Sequence, residues 1–343
     1  MASKRAVAKV VLSGIQPTGV PHLGNYCGAV SKWVTLQDTQ APDVKSLYSI
    51  VDLHAITLPY DASKLQDNIY GLLASLLGCG LDPSKNILFK QSDIHQHTEL
   101  AWLLSCITPL SWMQRMTQFK QKSQQKDANS VSLGLLSYPA LMAADVLLYK
   151  ATHVPVGDDQ QQHLELARMV ATTFNERFQT DLFPKPIPQR DDPNEALVRI
   201  MSLRDPTAKM SKSDPSAYSR IDLTDSPDEI VKKIRKAQTD SIVGIAYDKT
   251  NRPGVSNLMS ILSAVTGKSL DEIEAEYKSF QTGQFKQVVA DAVVAKIGPI
   301  GLRIQEYQRD RAFLEAVLQT GQRQASEIAI DTMVQVKRAM GLL

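Results

Sequence analysis

The clearest indication of the fold lies near the start of the chain, in residues 7–25, which read VAKVVLSGIQPTGVPHLGN. Residues 7–12 form a short apolar run, which predicts a buried β-strand. A turn-rich segment follows at 13–19, and a helix is predicted from about Asn25 to Gln37. Strand, turn and helix in this order form the first unit of a parallel sheet with crossover helices.

The same alternation continues along the next part of the chain. It predicts strands at 46–51, 87–89 and 153–156, and helices at 62–77, 139–149 and 159–178. A helical insertion is expected at about 92–130, broken at Pro109, and the proline-rich stretch 183–193 is expected to be a connector. The pattern predicts an α/β fold with a Rossmann-like parallel sheet.

The character of the chain changes after Arg220. From Pro227 onward the apolar spacing is helical, with breaks expected at 253–254, 267, 298–299 and 321. We therefore expect a catalytic domain at 5–222 that contains the insertion, and an all-helical C-terminal domain at 223–343.

Composition excludes several classes of protein. The 343 residues carry 38 Lys plus Arg and 36 Asp plus Glu, a net charge of +2, which is too small for a protein that coats polyanions. No run approaches the roughly 18 apolar residues that span a bilayer. Cys27, Cys79 and Cys106 form no C-x-x-C pair, which favours a reducing compartment over a disulfide framework or a structural zinc site.

The first motif is Pro21-His22-Leu23-Gly24-Asn25, at the predicted start of a helix. A helix N-terminus suits a triphosphate because its N–H groups are unpaired and its dipole is positive there. Gly24 allows close approach of a nucleotide, and His22 and Asn25 offer hydrogen-bond donors. The alternative is an ordinary turn between a strand and a helix.

The second motif is Lys209-Met210-Ser211-Lys212-Ser213, in a polar loop between Pro206 and Pro215. Two lysines three residues apart, interleaved with serine hydroxyls, predict an anion-binding loop; the alternative is a solvated charged loop. The chain contains neither G-x-x-x-x-G-K-[ST] nor G-x-G-x-x-G. A P-loop NTPase and a dinucleotide-dependent oxidoreductase therefore lose their main support.

Together and in this order, the two motifs resemble the H-I-G-H and K-M-S-K-S signatures of class I aminoacyl-tRNA synthetases. This chain has His22-Leu23-Gly24-Asn25, the variant typical of the tryptophan enzymes. Asn25 stands where the family's second histidine stands, and both side chains donate hydrogen bonds.

The helix predicted around 137–149 is apolar and carries one acid. Met142 and Asp145, three residues apart, share a face of the helix predicted around 137–149. A carboxylate on such a face is costly to bury without a donor. Asp145 either pairs with a neighbouring Lys or Arg, or accepts the indole N–H of a bound tryptophan, since indole is a donor only.

Further blocks are similar to tryptophanyl-tRNA synthetases over nearly the whole chain. They lie at 13–19, 51–57, 116–123, 142–145, 154–160 and 253–257. Residues 47–54 and 152–159 look most like the mitochondrial branch. The resemblance implies the mitochondrial matrix, with a presequence absent or removed; the alternative is the bacterial cytoplasm.

The resemblance also implies roles for individual residues. The catalytic residues would be His22, Asn25, Lys122, Lys209 and Lys212. ATP would contact Gln16, Pro17, Thr18, Gly24, Asn25, Gly157, Asp158, Asp159, Ile200, Lys209, Met210, Ser211, Lys212 and Ser213. Tryptophan would contact Gly14, His54, Tyr138, Met142, Asp145 and Gln160. Alternatively, Met142 and Ile200 are plain core residues and His54 is a structural histidine.

The implied reaction is activation of L-tryptophan by ATP, followed by transfer to tRNA(Trp), in a homodimer that does not bind membranes. Mg²⁺ would bind through the phosphates, with no dedicated protein cage. No metal is assigned to His95, His97, His153 or His163, since they lack tight ligand spacing and cysteine partners. The basic stretch 232–236 is either a solvated face or a contact with the tRNA backbone.

Three rival functions remain at this point. The tyrosyl enzyme shares the architecture, but the Met-Ala-Ala-Asp block ending at Asp145 argues against it. A non-catalytic RNA-binding paralogue is disfavoured by the two intact motifs. A small adenylyltransferase with a related histidine motif lacks the long helical C-terminal half.

Overall fold

The sheet is parallel and five-stranded, as the alternating pattern predicts. The structure is a computed structural model that describes residues 9–41, 43–117, 119, 132–155, 160–189, 199–212 and 214–343. The strands are β1 (Val10–Ile15), β2 (Lys45–Ile50), β3 (Ile87–Lys90), β4 (His153–Val154) and β5 (Ile187–Pro188). Their order is β3-β2-β1-β4-β5, and every neighbouring pair is parallel. The predicted α/β fold is confirmed.

Two of the strands differ from the sequence prediction. β1 runs three residues beyond Leu12, to Ile15, because Ser13–Ile15 pair in register with Tyr48–Ile50. β5 lies inside the segment predicted to be only a connector. Pro188 is tolerated there because β5 is at the sheet edge, where a missing N–H breaks no ladder.

The helices of the first two-thirds of the chain surround this sheet. They are α1 (Leu23–Asn25), a π-helix (Tyr26–Val30), α2 (Ser31–Thr39), α3 (Asp52–Ala55), α4 (Ala62–Gly78), α5 (Gln96–Ser105), α6 (Leu110–Gln114), α7 (Leu133–Leu148) and α8 (Gln161–Arg177). Pro109 is the N-cap of α6, so the break expected there is confirmed. The apolar helix α7 begins earlier than residue 139 and contains Pro139 in its interior.

The remainder of the chain is helical. Its helices are α9 (Pro227–Arg235), α10 (Pro253–Thr266), α11 (Leu270–Tyr277), α12 (Thr282–Arg309) and α13 (Arg311–Ala339). The breaks expected at 253–254 and 267 are confirmed, since Pro253 starts α10 and Gly267 caps it with a left-handed φ of 78°.

The breaks expected at 298–299 and 321 are wrong, because α12 and α13 run through them. An interior proline costs about 3 kcal/mol. The apolar stripe of α12, however, continues across Pro299 with buried Val293, Ile297, Ile300 and Ile304. Each such side chain contributes about 1.5–3 kcal/mol on burial, so packing outweighs the local preference.

The last helix returns to the sheet. A Cβ at Gly321 of α13 would lie 1.8 Å from the backbone oxygen of Leu88 in β3, so only glycine permits this contact. The helix thereby covers the edge strand, which would otherwise be open to pairing with another chain. Ala325, Ala329 and Met333 of α13 belong to the same hydrophobic cluster as the sheet. The division at residue 222 stays a prediction.

Within the described part of the chain, no helix has both the length and the apolar character needed to cross a bilayer.

Candidate functional site

A cavity of about 380 Å³ lies at the carboxyl ends of the strands. Its walls include Gly14 and Ile15 of β1 and Val154 of β4. The strand order reverses between these two strands, and in parallel α/β sheets the crevice at such a point is where ligands bind. The volume is within the usual range for small-molecule sites.

Asp145 of α7 carries the main charge in this cavity. Its Oδ1 accepts hydrogen bonds from Gln91 Nε2 at 2.7 Å and from His97 Nδ1 at 2.6 Å. Its Oδ2 accepts from His54 Nε2 at 2.7 Å. A carboxylate has about four lone-pair positions, so one acceptor position remains, on Oδ2.

The donors keep Asp145 ionised although it is only 6% exposed. Burial favours the neutral acid, but the hydrogen bond from His54 and the proximity of His97 outweigh it and lower the pKa of Asp145 to about 2. Among the residues that the structure describes, its partners are two imidazoles and an amide, and no Lys or Arg of that part of the chain forms the pairing considered from the sequence.

A second polar group lies on another wall. Tyr138 Oη is 2.9 Å from His163 Nε2, and His163 Nδ1 is 3.0 Å from Gln160 Oε1. Tyr138 and Gln160 both line the cavity, and burial raises the pKa of Tyr138 to about 12. The chain of contacts therefore fixes two neutral polar side chains against the cavity.

The start of the first helix closes on itself. His22 Nδ1 accepts from the Asn25 N–H, and Asn25 Oδ1 accepts from the His22 N–H, which forms a reciprocal N-terminal cap. Burial, with the charges of Lys212, Arg220 and Lys209, lowers the pKa of His22 to about 4. His22 is therefore neutral at physiological pH and carries its proton on Nε2.

The helix continues as the π-helix, a form that is frequent at functional sites. This irregular turn and the helix ends beside it contribute Asn25, Ala29 and Trp33 to the cavity wall.

The second motif lies against the loop after β1. Lys212 Nζ donates to the backbone oxygen of Gly19 at 3.0 Å, which joins the second motif to the turn just before the first, 193 residues away. Burial lowers the pKa of Lys212 to about 8, although the charge of Asp222 raises it. Lys209 is exposed and pairs with Met201 through an isolated backbone bridge.

A buried ion pair connects this region with α9. Asp222 forms an antiparallel bridge with His22, and Arg220 Nε donates to its carboxylate at 3.0 Å. Lys233 of α9 is 2.5 Å from Asp225 and 3.9 Å from Asp222. The basic stretch 232–236 is therefore not purely a solvated face, since Lys233 is only 7% exposed.

Of the residues implied by the resemblance, eight line the cavity together: Gly14, Gln16, Asn25, His54, Tyr138, Met142, Asp145 and Gln160. Another group lies outside its lining: Pro17, Thr18, His22, Gly24, Ile200, Lys209, Met210, Ser211 and Lys212. Ile200 and Met210 are buried in the larger hydrophobic cluster, as the core alternative expects for Ile200. Lys122, Gly157, Asp158, Asp159 and Ser213 lie outside the described residues.

Four residues of the polar networks are not among the predicted site residues. Gln91, His97 and Tyr149 surround Asp145, and His163 joins Tyr138 to Gln160. Only Gln91 carried a usable signal, since it directly follows β3, where parallel strands present ligand-binding residues. In the described part of the chain no three His, Cys, Asp or Glu side chains are grouped to hold a metal ion.

Comparison with known proteins gives a consistent result. The family model for class I tRNA synthetases (W and Y) matches residues 4–297. The chain is 47% identical to the tryptophan–tRNA ligase of Thermosynechococcus vestitus, over 96% of this chain and 99% of that one. It is 44% identical to the chloroplastic/mitochondrial tryptophan–tRNA ligase of Arabidopsis thaliana, over 98% of this chain and 83% of that one.

A solved structure agrees. The tryptophanyl-tRNA synthetase of Campylobacter jejuni, complexed with ADP and tryptophan, superimposes with a TM-score of 0.81 and 32% identity. The superposition covers 97% of this chain and 99% of that one.

Proposed function

The chain belongs to the class I tRNA synthetases for tryptophan and tyrosine, its activity is that of a tryptophan–tRNA ligase, and we propose which residues carry each step. The reaction activates L-tryptophan with ATP and then charges tRNA with it. One observation carries the assignment of residues: an ionised, buried Asp145 that keeps a single acceptor position in a largely apolar cavity.

Asp145 recognises the indole. Tryptophan satisfies the open position on Oδ2 through its indole N–H, whereas phenylalanine leaves it unpaired. An apolar pocket alone separates such side chains by only about 1–3 kcal/mol, while an unmet hydrogen bond reaches about 10⁴–10⁵-fold. Met142, one turn away on the same cavity wall, is the shape element that rejects tyrosine, and His54 and Gly14 complete the pocket.

Tyr138 and Gln160 hold the α-ammonium group of the amino acid. Both are neutral acceptors at the cavity wall, and His163 holds them in place. An ammonium group is a donor only, so the oxygens of these two side chains can accept its hydrogen bonds.

The nucleotide lies toward the two motifs. Gln16, Pro17, Thr18, Gly24 and Asn25 line its path from β1 to the first helix. Lys209 and Lys212 neutralise the phosphates, with Ser211 and Met210 beside them and Ile200 near the adenine. The roles of Lys122, Gly157, Asp158, Asp159 and Ser213 are proposed from the resemblance alone. Mg²⁺ enters with ATP, ligated by phosphate oxygens and water.

The chemistry needs no protein nucleophile. An oxygen of the tryptophan carboxylate attacks the α-phosphorus of ATP, and the bond to the bridging oxygen of pyrophosphate breaks. Catalysis then depends on aligning the two substrates and on stabilising charge on the phosphates. A terminal ribose hydroxyl of the tRNA attacks the resulting adenylate and releases AMP.

The partners and compartment complete the proposal. Residues 223–343 bind the anticodon part of tRNA(Trp), and the exposed Lys232 and Lys236, both near the ring of Tyr218, contact its backbone. The enzyme works as a homodimer. We propose the mitochondrial matrix as its compartment, with the bacterial cytoplasm as the alternative; immunolocalisation in the source cells distinguishes them.

Asp145→Ala tests the assignment. We expect kcat/KM for tryptophan in ATP–pyrophosphate exchange to fall by about 10²-fold or more, while the value for phenylalanine changes little. Asp145→Asn should lose most of the preference as well. Its oxygen goes where Gln91 and His97 converge, which puts its amide N–H₂ on the side that faces the indole.

Asp38→Ala, which removes an exposed carboxylate paired with Lys85, is the matched control and should behave as the wild type. An Asp145→Ala enzyme that still prefers tryptophan over phenylalanine would mean that another group accepts the indole N–H. Exchange with tyrosine in the wild type tests the rival amino acid, since the family model covers both enzymes.

A further inference from the structure

Two donors to Asp145, Gln91 and His97, and the tyrosine behind His97, Tyr149, have no role in the proposed reaction. Gln91 directly follows β3, His97 belongs to α5, and Tyr149 directly follows α7. All three are essentially buried. The question is what they contribute beyond filling space.

The ring of His97 is held in one orientation from two sides. It stacks on Phe89, with ring centroids 6.0 Å apart, and it packs at 5.4 Å against the ring of Tyr149. Tyr149 Oη lies 2.8 Å from His97 Nε2. The ring can therefore neither rotate nor exchange its two nitrogens without breaking a buried contact.

The hydrogen bonds also set the protons. A carboxylate oxygen only accepts, so His97 Nδ1 carries the proton that it donates to Asp145. His97 Nε2 contacts the Tyr149 hydroxyl, which can donate to a neutral ring or accept from a protonated one. In both cases the contact keeps Nδ1–H directed at Asp145.

Gln91 donates to the same Asp145 oxygen although, among the described residues, its own carbonyl oxygen is left unpaired. Its Nε2 donates to Asp145 Oδ1, while its Oε1 is buried and has no hydrogen-bond partner within the described part of the chain. Leaving a buried amide oxygen unpaired is unfavourable. The hydrogen bond to Asp145 therefore fixes the Gln91 side chain at a cost in stability.

We infer that Gln91, His97 and Tyr149 are positioning residues for amino-acid specificity. Gln91 and His97 occupy both acceptor positions of Asp145 Oδ1, and Tyr149 holds the His97 ring, so only Oδ2 is left to receive an indole N–H. This inference rests on the proposed role of Asp145. His54 takes one of the two acceptor positions on Oδ2, so an indole N–H can approach that oxygen from a single direction.

The test compares tryptophan with 3-benzothienylalanine, in which sulfur replaces the indole N–H and the shape is nearly the same. The measured quantity is the ratio of kcat/KM for the two amino acids in ATP–pyrophosphate exchange. A merely structural role lowers both values and leaves the ratio unchanged. A positioning role changes the ratio, because only tryptophan uses the N–H contact.

We expect His97→Leu to reduce the ratio by at least about tenfold, as expected for the loss of a hydrogen bond to a charged group. His97→Asn should restore most of it, since the Asn Nδ2 occupies the place of His Nδ1. His97→Gln should not, because its amide nitrogen reaches the place of Nε2 instead. Tyr149→Phe should give a smaller reduction, since it removes the hydroxyl contact to His97 Nε2 but keeps the ring that packs against His97.

His95→Asn, an exposed histidine two residues away, and Tyr60→Phe, an exposed tyrosine, are the matched controls and should keep the wild-type ratio. If His97→Leu does not fold, the Asn and Gln variants decide, and equal ratios in those two would overturn the inference. Asp145→Ala distinguishes the role of Asp145 from the positioning role of its neighbours. If the Asp145→Ala enzyme keeps the wild-type ratio, Asp145 does not recognise the indole. If that enzyme changes the ratio while the His97 variants keep it, only the positioning role is overturned.

Discussion

At the scale of single residues, Lys212 is the cation for which we propose a contact with the ATP phosphates. Its ammonium group contacts the Gly19 carbonyl and lies near His22, which is itself kept neutral. Since burial lowers the pKa of Lys212 to about 8, the group is mostly charged at neutral pH but incompletely solvated. We propose that a bound triphosphate replaces this weak carbonyl partner with a charged one.

Lys212→Ala tests this role. We expect the rate of adenylate formation in a single turnover to fall by about 10²-fold, since a preorganised contact to developing charge contributes on the order of 3 kcal/mol. Tryptophan binding should change much less, because the amino-acid pocket is built from other side chains.

Lys85→Ala is the matched control, because that lysine is exposed and paired only at the surface with Asp38. Unchanged single-turnover activation in Lys212→Ala would remove the loop from the mechanism.

At the scale of secondary-structure elements, the site depends on how the ends of several elements meet. His54 comes from α3, Gln91 from the end of β3, His97 from α5 and Asp145 from α7. The position of β3 is in turn fixed by α13, where Gly321 contacts the backbone of Leu88. Leu88, which contacts α13, is followed in β3 by Phe89, and the ring of Phe89 stacks on His97.

Gly321→Ala tests this contact. An alanine in a helix interior normally gains about 1 kcal/mol over glycine. Here the added methyl would lie 1.8 Å from a backbone oxygen that cannot rotate away, so helix and strand must separate. We expect a net loss of about 1–3 kcal/mol in the free energy of unfolding, measured by urea denaturation.

Gly71→Ala in α4 is the control, because its Cβ would meet only the end of the Gln308 side chain, at 3.9 Å. That variant should be as stable as the wild type or more so. Equal stabilities of the two alanine variants would show that α13 and β3 can yield without loss.

At the scale of the whole molecule, the helical part and the sheet share their packing. α4 packs against α12, and α13 packs on β3, so each of the two hydrophobic clusters of the described chain contains residues of both the sheet and the C-terminal helices. Lys233 of α9 also contacts Asp225 and Asp222. Since Asp222 forms a backbone bridge with His22, this acid links the C-terminal helices to the first motif.

The proposed homodimer is tested by sedimentation. Twofold symmetric dimers are the commonest oligomers, and one tRNA would then contact the active site of one subunit and the helices of the other. We expect a species of twice the chain mass at micromolar concentration, with aminoacylation activity that falls as dilution dissociates it. A stable monomer with full aminoacylation activity would contradict the dimer.

The features that local chemistry controls could be predicted from the sequence. The strand and helix alternation gave the parallel sheet, and Pro253, Gly267 and Pro109 marked helix ends where the structure has them. His22 and Asn25 cap their helix through bonds only three residues apart, so their pattern is readable in the chain. The spacing of Met142 and Asp145 likewise placed both on one wall of the cavity.

The groups that surround Asp145 could not be predicted from the sequence, because they come together only in the tertiary structure. Its donors lie 91, 54 and 48 residues away, and neither helical periodicity nor turn chemistry extends over such separations. The continuation of two helices through Pro299 and Gly321 likewise depends on contacts between distant parts of the chain. A local preference is worth about 1–3 kcal/mol, whereas burial of several apolar side chains against distant elements is worth more, and the contacts that outweigh the preference exist only in the folded chain.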